Sequence, residues 1–513
     1  MTHLKNIGKV RIKRSAMNLN YRKIFNTDMG VLYPIQADVV LPSDIWKMTH
    51  DIVIRLQPLI APILHEINVF THTFFIPLRL IDENFENALT GGVLGDQDAV
   101  FEKWDLTNNE GDAEAKHTLW DALAFPIVNN IKGPWPVAWP RNAYNLIYNE
   151  FYRDQNLQAE IPKTSNQLLK RAWNKDYFTS ALPTPQRGPS LALPISGQTF
   201  ANYQNMTALY FMATQPPAGN SSIIMTPSPN TIIPAYSQSL TGSTDTQKLK
   251  DALSQNIVDL SVASTFDVND LRAVVQLQKW KERNMRAGVR LNEFLMARWS
   301  CAPRDDRLQR PEYIGGTKSP VIISEVLQTS ESQSTPQGTM AGHGLSANIS
   351  GIKKYRVQEP GIIMTLMSIM PKSTYQQGID RQWLMETRYD FPFPEFTHLG
   401  EREILRTELM TTDNEYTNKQ IWGFRGIFDE HRSKLDRVCG DMRDTYKYWH
   451  LGRIFNTQPN LNSSFIQMNG ADPTYRRIFA VQNEPGFICH IANRITALRP
   501  LPIIAEPGLM DHF

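Results

Sequence analysis

The chain has 513 residues, 53 basic and 51 acidic, for a formal net charge of +2; 41% are hydrophobic and 20% charged. That much apolar material supplies a sizeable core and excludes a wholly disordered chain, while near-neutrality gives no bulk electrostatic pointer to nucleic acid. Proline (33) outnumbers glycine (28), which favours many loops over long unbroken helices.

The N-terminus is read as a basic arm, 1–28. Seven cations, Lys5, Lys9, Arg11, Lys13, Arg14, Arg22 and Lys23, precede the first acid, Asp28. Such a run is a candidate polyanion contact, with Tyr21 and Phe25 beside Arg22 and Lys23 available to stack on bases. A solvated, frayed terminus is the plainer reading. No apolar h-region marks a secretory signal, and no stretch reaches the ~18 apolar residues of a membrane span, so the chain reads as soluble.

From residue 30 the pattern is β. Ile52, Ile54 and Leu56 alternate with Val53, Arg55 and Gln57. Val69–Ile76 is rich in β-branched and aromatic residues and stops at Pro77. Ile362–Met370 and Phe487–Thr496 read likewise; in the latter Phe487, Cys489, Ile491 and Ile495 share a face opposite His490, Arg494 and Thr496. Strong strands near both ends of the chain predict non-local pairing in a sandwich or jelly roll.

Helical spacing is confined to the middle. Tyr144, Ile147, Tyr148, Phe151 and Tyr152 recur at i, i+3, i+4, i+7 and i+8, and Asn269 is placed to cap a helix running to about Asn284. These read as insertions between strands. The aromatics of 120–152 (Trp120, Phe125, Trp135, Trp139 among them) have few cations beside them and read as packing rather than base stacking. Residues 198–260 form a polar insertion and 329–351 a polar loop within a single domain spanning 29–513.

Catalytic signatures are absent. His65-Glu66 is not continued to HExxH, and Gly91-Gly92 lacks the Lys-Ser/Thr of a phosphate loop. Cys301, Cys439 and Cys489 are too dispersed for a disulfide framework or a cysteine zinc site. Asp305/Asp306 and Asp441/Asp444 read as solvated acids, and His343 as a loop residue. No catalytic residue, metal site or cofactor is assigned.

Longer blocks carry a resemblance. Leu56-Gln-Pro-Leu59, His65-Glu-Ile-Asn68, Tyr144-Asn-Leu-Ile147, Asn149-Glu-Phe-Tyr-Arg-Asp-Gln-Asn156 and Asp176-Tyr-Phe-Thr-Ser-Ala-Leu-Pro183 form the first set. Arg307-Leu-Gln-Arg-Pro-Glu-Tyr-Ile-Gly-Gly316, Thr374-Tyr-Gln-Gln-Gly378, His398-Leu-Gly-Glu401, Ser464-Phe-Ile-Gln467 and Pro507-Gly-Leu-Met-Asp-His-Phe513 follow in order. Together they resemble the major capsid proteins of microviruses, small icosahedral single-stranded-DNA bacteriophages, most closely the gokushovirus-like branch.

The resemblance implies a mainly β protein, an eight-stranded antiparallel jelly roll with large loop and helical insertions. Its copies, about sixty, would close a T=1 shell through five-fold, three-fold and two-fold contacts. Implied partners are packaged circular single-stranded DNA, a small basic DNA-binding protein, a scaffolding protein, a DNA pilot protein and a host surface receptor. Implied location is the virion, assembled in the bacterial host cytoplasm. The polar insertion would be a surface protrusion for host attachment, with a partnerless linker as the bland alternative; the N-terminal arm would face the interior. A β-rich carbohydrate-active enzyme or lectin-like phage fibre protein is the competing class, distinguished by staying small or showing turnover.

The whole-chain charge hides an asymmetry. Residues 1–27, ahead of Asp28, carry +7, leaving 46 basic against 51 acidic residues, or −5, for the rest. Sixty copies at +2 would give only roughly +120, far below the phosphate charge of a phage genome, so most neutralisation must come from counterions or a basic partner.

Overall fold

The computed structural model describes residues 14–90, 100–105, 116–128, 133–186, 309–327 and 340–503, together with short backbone segments within 198–282. The chain forms two compact units, one of residues 1–185 and 287–513, the other Gln186–Arg286.

In the larger unit eleven strands build two antiparallel sheets. In chain order they are β1 (Ser15–Asn18), β2 (Tyr21–Thr27), β3 (Tyr33–Val40), β4 (Ile45–Leu56), β5 (Ile67–Pro77), β6 (Glu312–Pro320), β7 (Ile322–Leu327), β8 (Met340–Ile349), β9 (Lys353–Arg356), β10 (Gly361–Pro371) and β11 (Phe487–Arg499). The seven-stranded sheet runs β1-β11-β4-β8-β7, with β2 also on β11 and β9 on β4; the four-stranded sheet runs β6-β5-β10-β3. Taking β1/β2 and β7–β9 as single positions leaves eight strands ordered 1-8-3-6 and 2-7-4-5. This is the jelly-roll connection, in which each hairpin partner is recruited from the far end of the chain.

Strand periodicity explains the core. Every second residue of β4 from Trp46 to Leu56 is buried, and β11 buries Phe487, Cys489, Ile491, Ile495 and Ala497 on the face that meets them. β10 is buried at all eleven positions. Its Met367 and Ile369 pack with Ile52, Ile54 and Ile491 between the sheets. Its Ile362, Met364 and Leu366 pack outward under the insertion between β5 and β6. That second layer holds Trp104, Trp120, Tyr144, Ile147 and Tyr148, so the middle aromatics are core.

The insertion's helix α1 (Trp139–Ile147) starts with Pro140 in its first turn and passes into a π turn, Tyr148–Tyr152. Its amides staple loops: Asn142 Nδ2 donates to Ile81 O (3.0 Å), and Asn149 exchanges two hydrogen bonds with the Ile161 backbone (2.8 and 3.0 Å). Asp176 works similarly, accepting from the Phe178 and Thr179 amides and from Ser373 and Tyr375. Two of the blocks that carried the resemblance thus hold side chains, Asn149 and Asp176, that tie loop backbone.

A polar node pins the two sheets. Lys353 Nζ donates to Thr73 Oγ1 (2.8 Å), which meets Thr365 Oγ1 (2.9 Å). Thr365 reaches Gln36 Oε1 (3.1 Å) and the His50 ring (3.4 Å), and His50 Nδ1 pairs with Asn493 Oδ1 (2.8 Å). Six strands each contribute one member. A one-residue slip of any strand would turn its member outward and leave the others buried without partners, so the node fixes register.

Three expectations change. Residues 15–27 are not a free arm: β1 and β2 pair along β11, because Leu19 and Phe25 have core clusters to join. The 329–351 loop contains β8, paired with β7 and β4, which places His343 in a strand. The polar insertion lies within Gln186–Arg286, whose described strands form a two-stranded antiparallel sheet (Gln198–Phe200 with Ile257–Asp259) and a three-stranded one (Leu209–Phe211, Ile223–Ser228, Thr231–Pro234). Residues 274, 275, 277–279, 281 and 282 are helical, in the span expected; Asn269 lies outside the described residues.

Candidate nucleic-acid interface

Since one face of the seven-stranded sheet meets the other sheet, its alternate residues face away from that core. Register sets them side by side. Lys47 stands opposite Thr496 on one side and Lys354 on the other; Ile45 stands between Leu498 and Arg356. Asp51 lies between Ala492 and Ile349, and Arg22 is next across from Ala492. Val53 lies between His490 and Ala347, with Ile24 beyond; Arg55 lies between Ile488 and Leu345, with Ile322 beyond.

This face is chemically divided. Around Val53 and Arg55 it is apolar, with Ile24 74%, Ile322 70%, Ile488 44% and Leu345 41% exposed. Towards β9 it is cationic, with exposed Lys47, Lys354 and Arg356. Arg22, Arg55 and Arg494 are also exposed. Among the described residues one carboxylate, Asp51, lies on this face, and it pairs with Arg494. Two lysines directly opposite each other across a ladder destabilise the sheet. Lys47 and Lys354 form a pair of that kind, with Arg356 alongside and no described acid between them. A groove of about 480 Å³ between β2, β11 and β4, lined by Arg22, Asp51, Val53, His490 and Arg494, continues the surface.

The sequence-derived cations divide three ways. Lys5, Lys9, Arg11 and Lys13 lie outside the described residues. Arg14 is exposed just before β1, and Arg22 is exposed on the outer face. Lys23 takes the inward alternation: its ammonium donates to Pro34 O (2.7 Å) and to Ala122 O, and burial pulls its pKa down to about 8. Lys23 is thus spent on the fold rather than available to phosphate. Phe25 stacks on Tyr33 at 3.8 Å between ring centroids, so it is not a base platform. The reason is the strand period itself, which sends 22 and 24 one way and 21, 23 and 25 the other.

Lys47, Lys354 and Arg356 were not singled out from sequence. The alternation around Ile52 and Ile54 signals that Lys47 and Arg55 fall on the polar side of β4, but only the register brings Lys354 across from Lys47.

Elsewhere the titratable groups are structural. His65 Nε2 meets Lys372 O (2.7 Å) and His72 Nδ1 meets the Tyr152 hydroxyl (2.6 Å); burial lowers both to about 4. Asp441 and Asp444 sit on an exposed 3-10 turn, and Asp305 and Asp306 lie outside the described residues. Among the described residues no group of three or more His, Cys, Asp or Glu could hold a metal, and no helix is long and apolar enough to cross a membrane.

A jelly roll whose long connections are folded insertions is the architecture of the viral-capsid class of folds. The profile of the Capsid protein (F protein) family matches residues 5–509. Capsid protein VP1 of Chlamydia phage 1 is 30% identical over 97% of this chain and 96% of its own length. Capsid protein VP1 of Bdellovibrio phage phiMH2K is 30% identical over 99% and 97%, and that of Spiroplasma virus 4 is 28% identical over 97% and 96%. The chain belongs to the Capsid protein (F protein) family, and its resemblance to gokushovirus-like microvirus capsid proteins holds along its length. It is a structural capsid protein, and the carbohydrate-active alternative is set aside.

Proposed function

We propose that the chain assembles, as about sixty copies, into a T=1 icosahedral shell around a circular single-stranded DNA. The cationic half of the outer sheet face, with the basic residues before β1, turns to the packaged strand. The observation that carries this is the opposed pair Lys47/Lys354 beside Arg356, without a described acid partner. Phosphates relieve that repulsion and release counterions on binding. Lys5, Lys9, Arg11, Lys13 and Arg14 extend the same charge along the chain leading into β1. A contact confined to these segments agrees with a chain that is near neutral as a whole.

The polar insertion 198–260 is proposed as an exterior surface for host attachment. Deleting residues 205–245 should leave particles that no longer adsorb; intact assembly with intact adsorption refutes that role. The small basic DNA-binding, scaffolding and pilot proteins complete the proposed particle, formed in the bacterial cytoplasm.

The DNA contact is tested by replacing Lys47, Lys354 and Arg356 together with Ser. Purified particles should hold less DNA, and the slope of log affinity for oligo(dT) against log salt should flatten by about 2. The same change at exposed Lys116, Lys163 and Lys434 should do neither. Unchanged DNA content and unchanged slope in the sheet variant refute the reading.

A further inference from the structure

The connection between β10 and β11 contains a segment that is shaped but has no core of its own. From Gln382 to Gly400 not one residue is buried. Yet the segment carries Trp383 75% exposed, Tyr389 60%, Phe391 56%, Phe393 40% and Leu399 67%. Its backbone is organised by three successive 3-10 turns, Arg381–Trp383, Arg388–Asp390 and Pro394–Phe396. A capping box joins Thr387 and Asp390. From Met385 to Leu399 the described hydrogen bonds close within the segment, as from Phe396 N to Phe393 O (3.1 Å) and Leu399 N to Phe396 O (3.2 Å), while Trp383 N and Leu384 N reach back to Asp380 O and Arg381 O (both 2.9 Å). Phe391, Phe393 and Phe396 contact one another at 5.4 and 6.0 Å between centroids, and Pro392 and Pro394 stiffen the chain between them.

Both ends are anchored. Arg381 pairs with Glu408 at 3.3 Å, both buried, and Gly400 O accepts from Ile427 N at 3.0 Å. The neighbouring hairpin, Glu401–Leu405 with Ile421–Gly426, adds exposed Ile421. A held, aromatic-rich segment without buried residues has the composition of an interface core and not of a solvated loop.

We propose that residues 382–400 form an intersubunit clamp that seats on a second copy of this chain, with Trp383, Phe391 and Phe393 as its anchors. Membership of a capsid family supplies the occupant: in a closed shell every subunit is surrounded by copies of itself, and heterologous contacts need a projecting element on one copy and a recess on the next. The segment's charges, Glu386, Asp390 and Glu395 against Arg388, are few and mixed, which suits a protein surface better than a polyanion. The inference rests on the shell reading above and adds the surface that holds it together.

The test replaces Trp383, Phe391 and Phe393 together with Ser. These side chains are already exposed in the single chain, so the unassembled subunit should keep its far-UV circular dichroism and thermal midpoint. Loss of each anchor should weaken the contact on the order of thirtyfold, so shells detected by sedimentation should vanish at concentrations where the wild type assembles. As a second measurement, a photo-crosslinking phenylalanine analogue at position 391 in wild-type particles should give a product of twice the chain mass. Normal assembly of the triple variant, or crosslinking to a different protein or to none, overturns the proposal. Failure of the wild type itself to form particles would instead count against the shell reading.

Discussion

The polar node between the sheets makes the subunit acid-sensitive in a defined window. His50 is fully buried in β4, with Asn493, Thr365, Gln36, Ser350 and Lys353 around it and Asp51 next in sequence. Burial is the main cause that lowers its pKa from 6.5 to about 4; the Asn493 hydrogen bond opposes this, Lys353 adds to it, and Asp51 opposes it. The folded chain therefore holds a neutral ring. Below pH 6.5 the unfolded chain takes up a proton that the folded one refuses, so stability present above 6.5 is lost as pH falls towards 4. The loss is about 2 kcal/mol at pH 5 and about 3 at pH 4.

Hydrogen exchange of β4, β10 and β11 amides in the unassembled subunit, corrected for intrinsic rates, reads this out. Protection should fall roughly thirtyfold between pH 7 and 5 in the wild type beyond any fall in His50→Gln, since 1.4 kcal/mol is a factor of ten. His65 and His72 titrate in both proteins, so the difference isolates His50. Parallel curves for the two would refute the assignment.

Two further substitutions probe the frame around the interfaces. Gly30 has φ +82° and its missing Cβ would fall on Met468 O, so Gly30→Ala should cost at least about 2 kcal/mol and lower the thermal midpoint of the larger unit. Arg381→Met would strand the buried Glu408 carboxylate, which also accepts from Tyr177 Oη (2.9 Å) and Leu405 N (2.8 Å). A loss of about 3 kcal/mol is expected, partly recovered in the double variant with Glu408→Gln, as a double-mutant cycle would show.

The strands around Ile52 and Phe487 were legible because one face of each is buried and the period of two survives in the sequence; those around Val69 and Ile363, buried on both faces, were legible as short runs of apolar, β-branched and aromatic residues. Their end-to-end pairing followed from where they lie in the chain. β8 was hidden by its composition: its small and polar residues, with Gly342 and Gly344 among them, read as a loop, although Gly344 packs against the Leu56 side chain in the sheet. β2 was hidden by Arg22 and Lys23, since a charge run looks solvated until alternation sends one cation out and ties the other to two carbonyls. The cationic patch could not be read at all along the chain, because Lys47 and Lys354 are joined only by the β4–β9 register. The clamp was also unread, since its aromatics look like core until burial is measured.

Electron microscopy of particles assembled from the purified chain bears most directly on the central claim. Closed icosahedral shells of sixty subunits are expected, with the Lys47–Lys354–Arg356 face lining the interior against nucleic-acid density. Open trimers or pentamers that never close, or shells with that face turned outward, would contradict it.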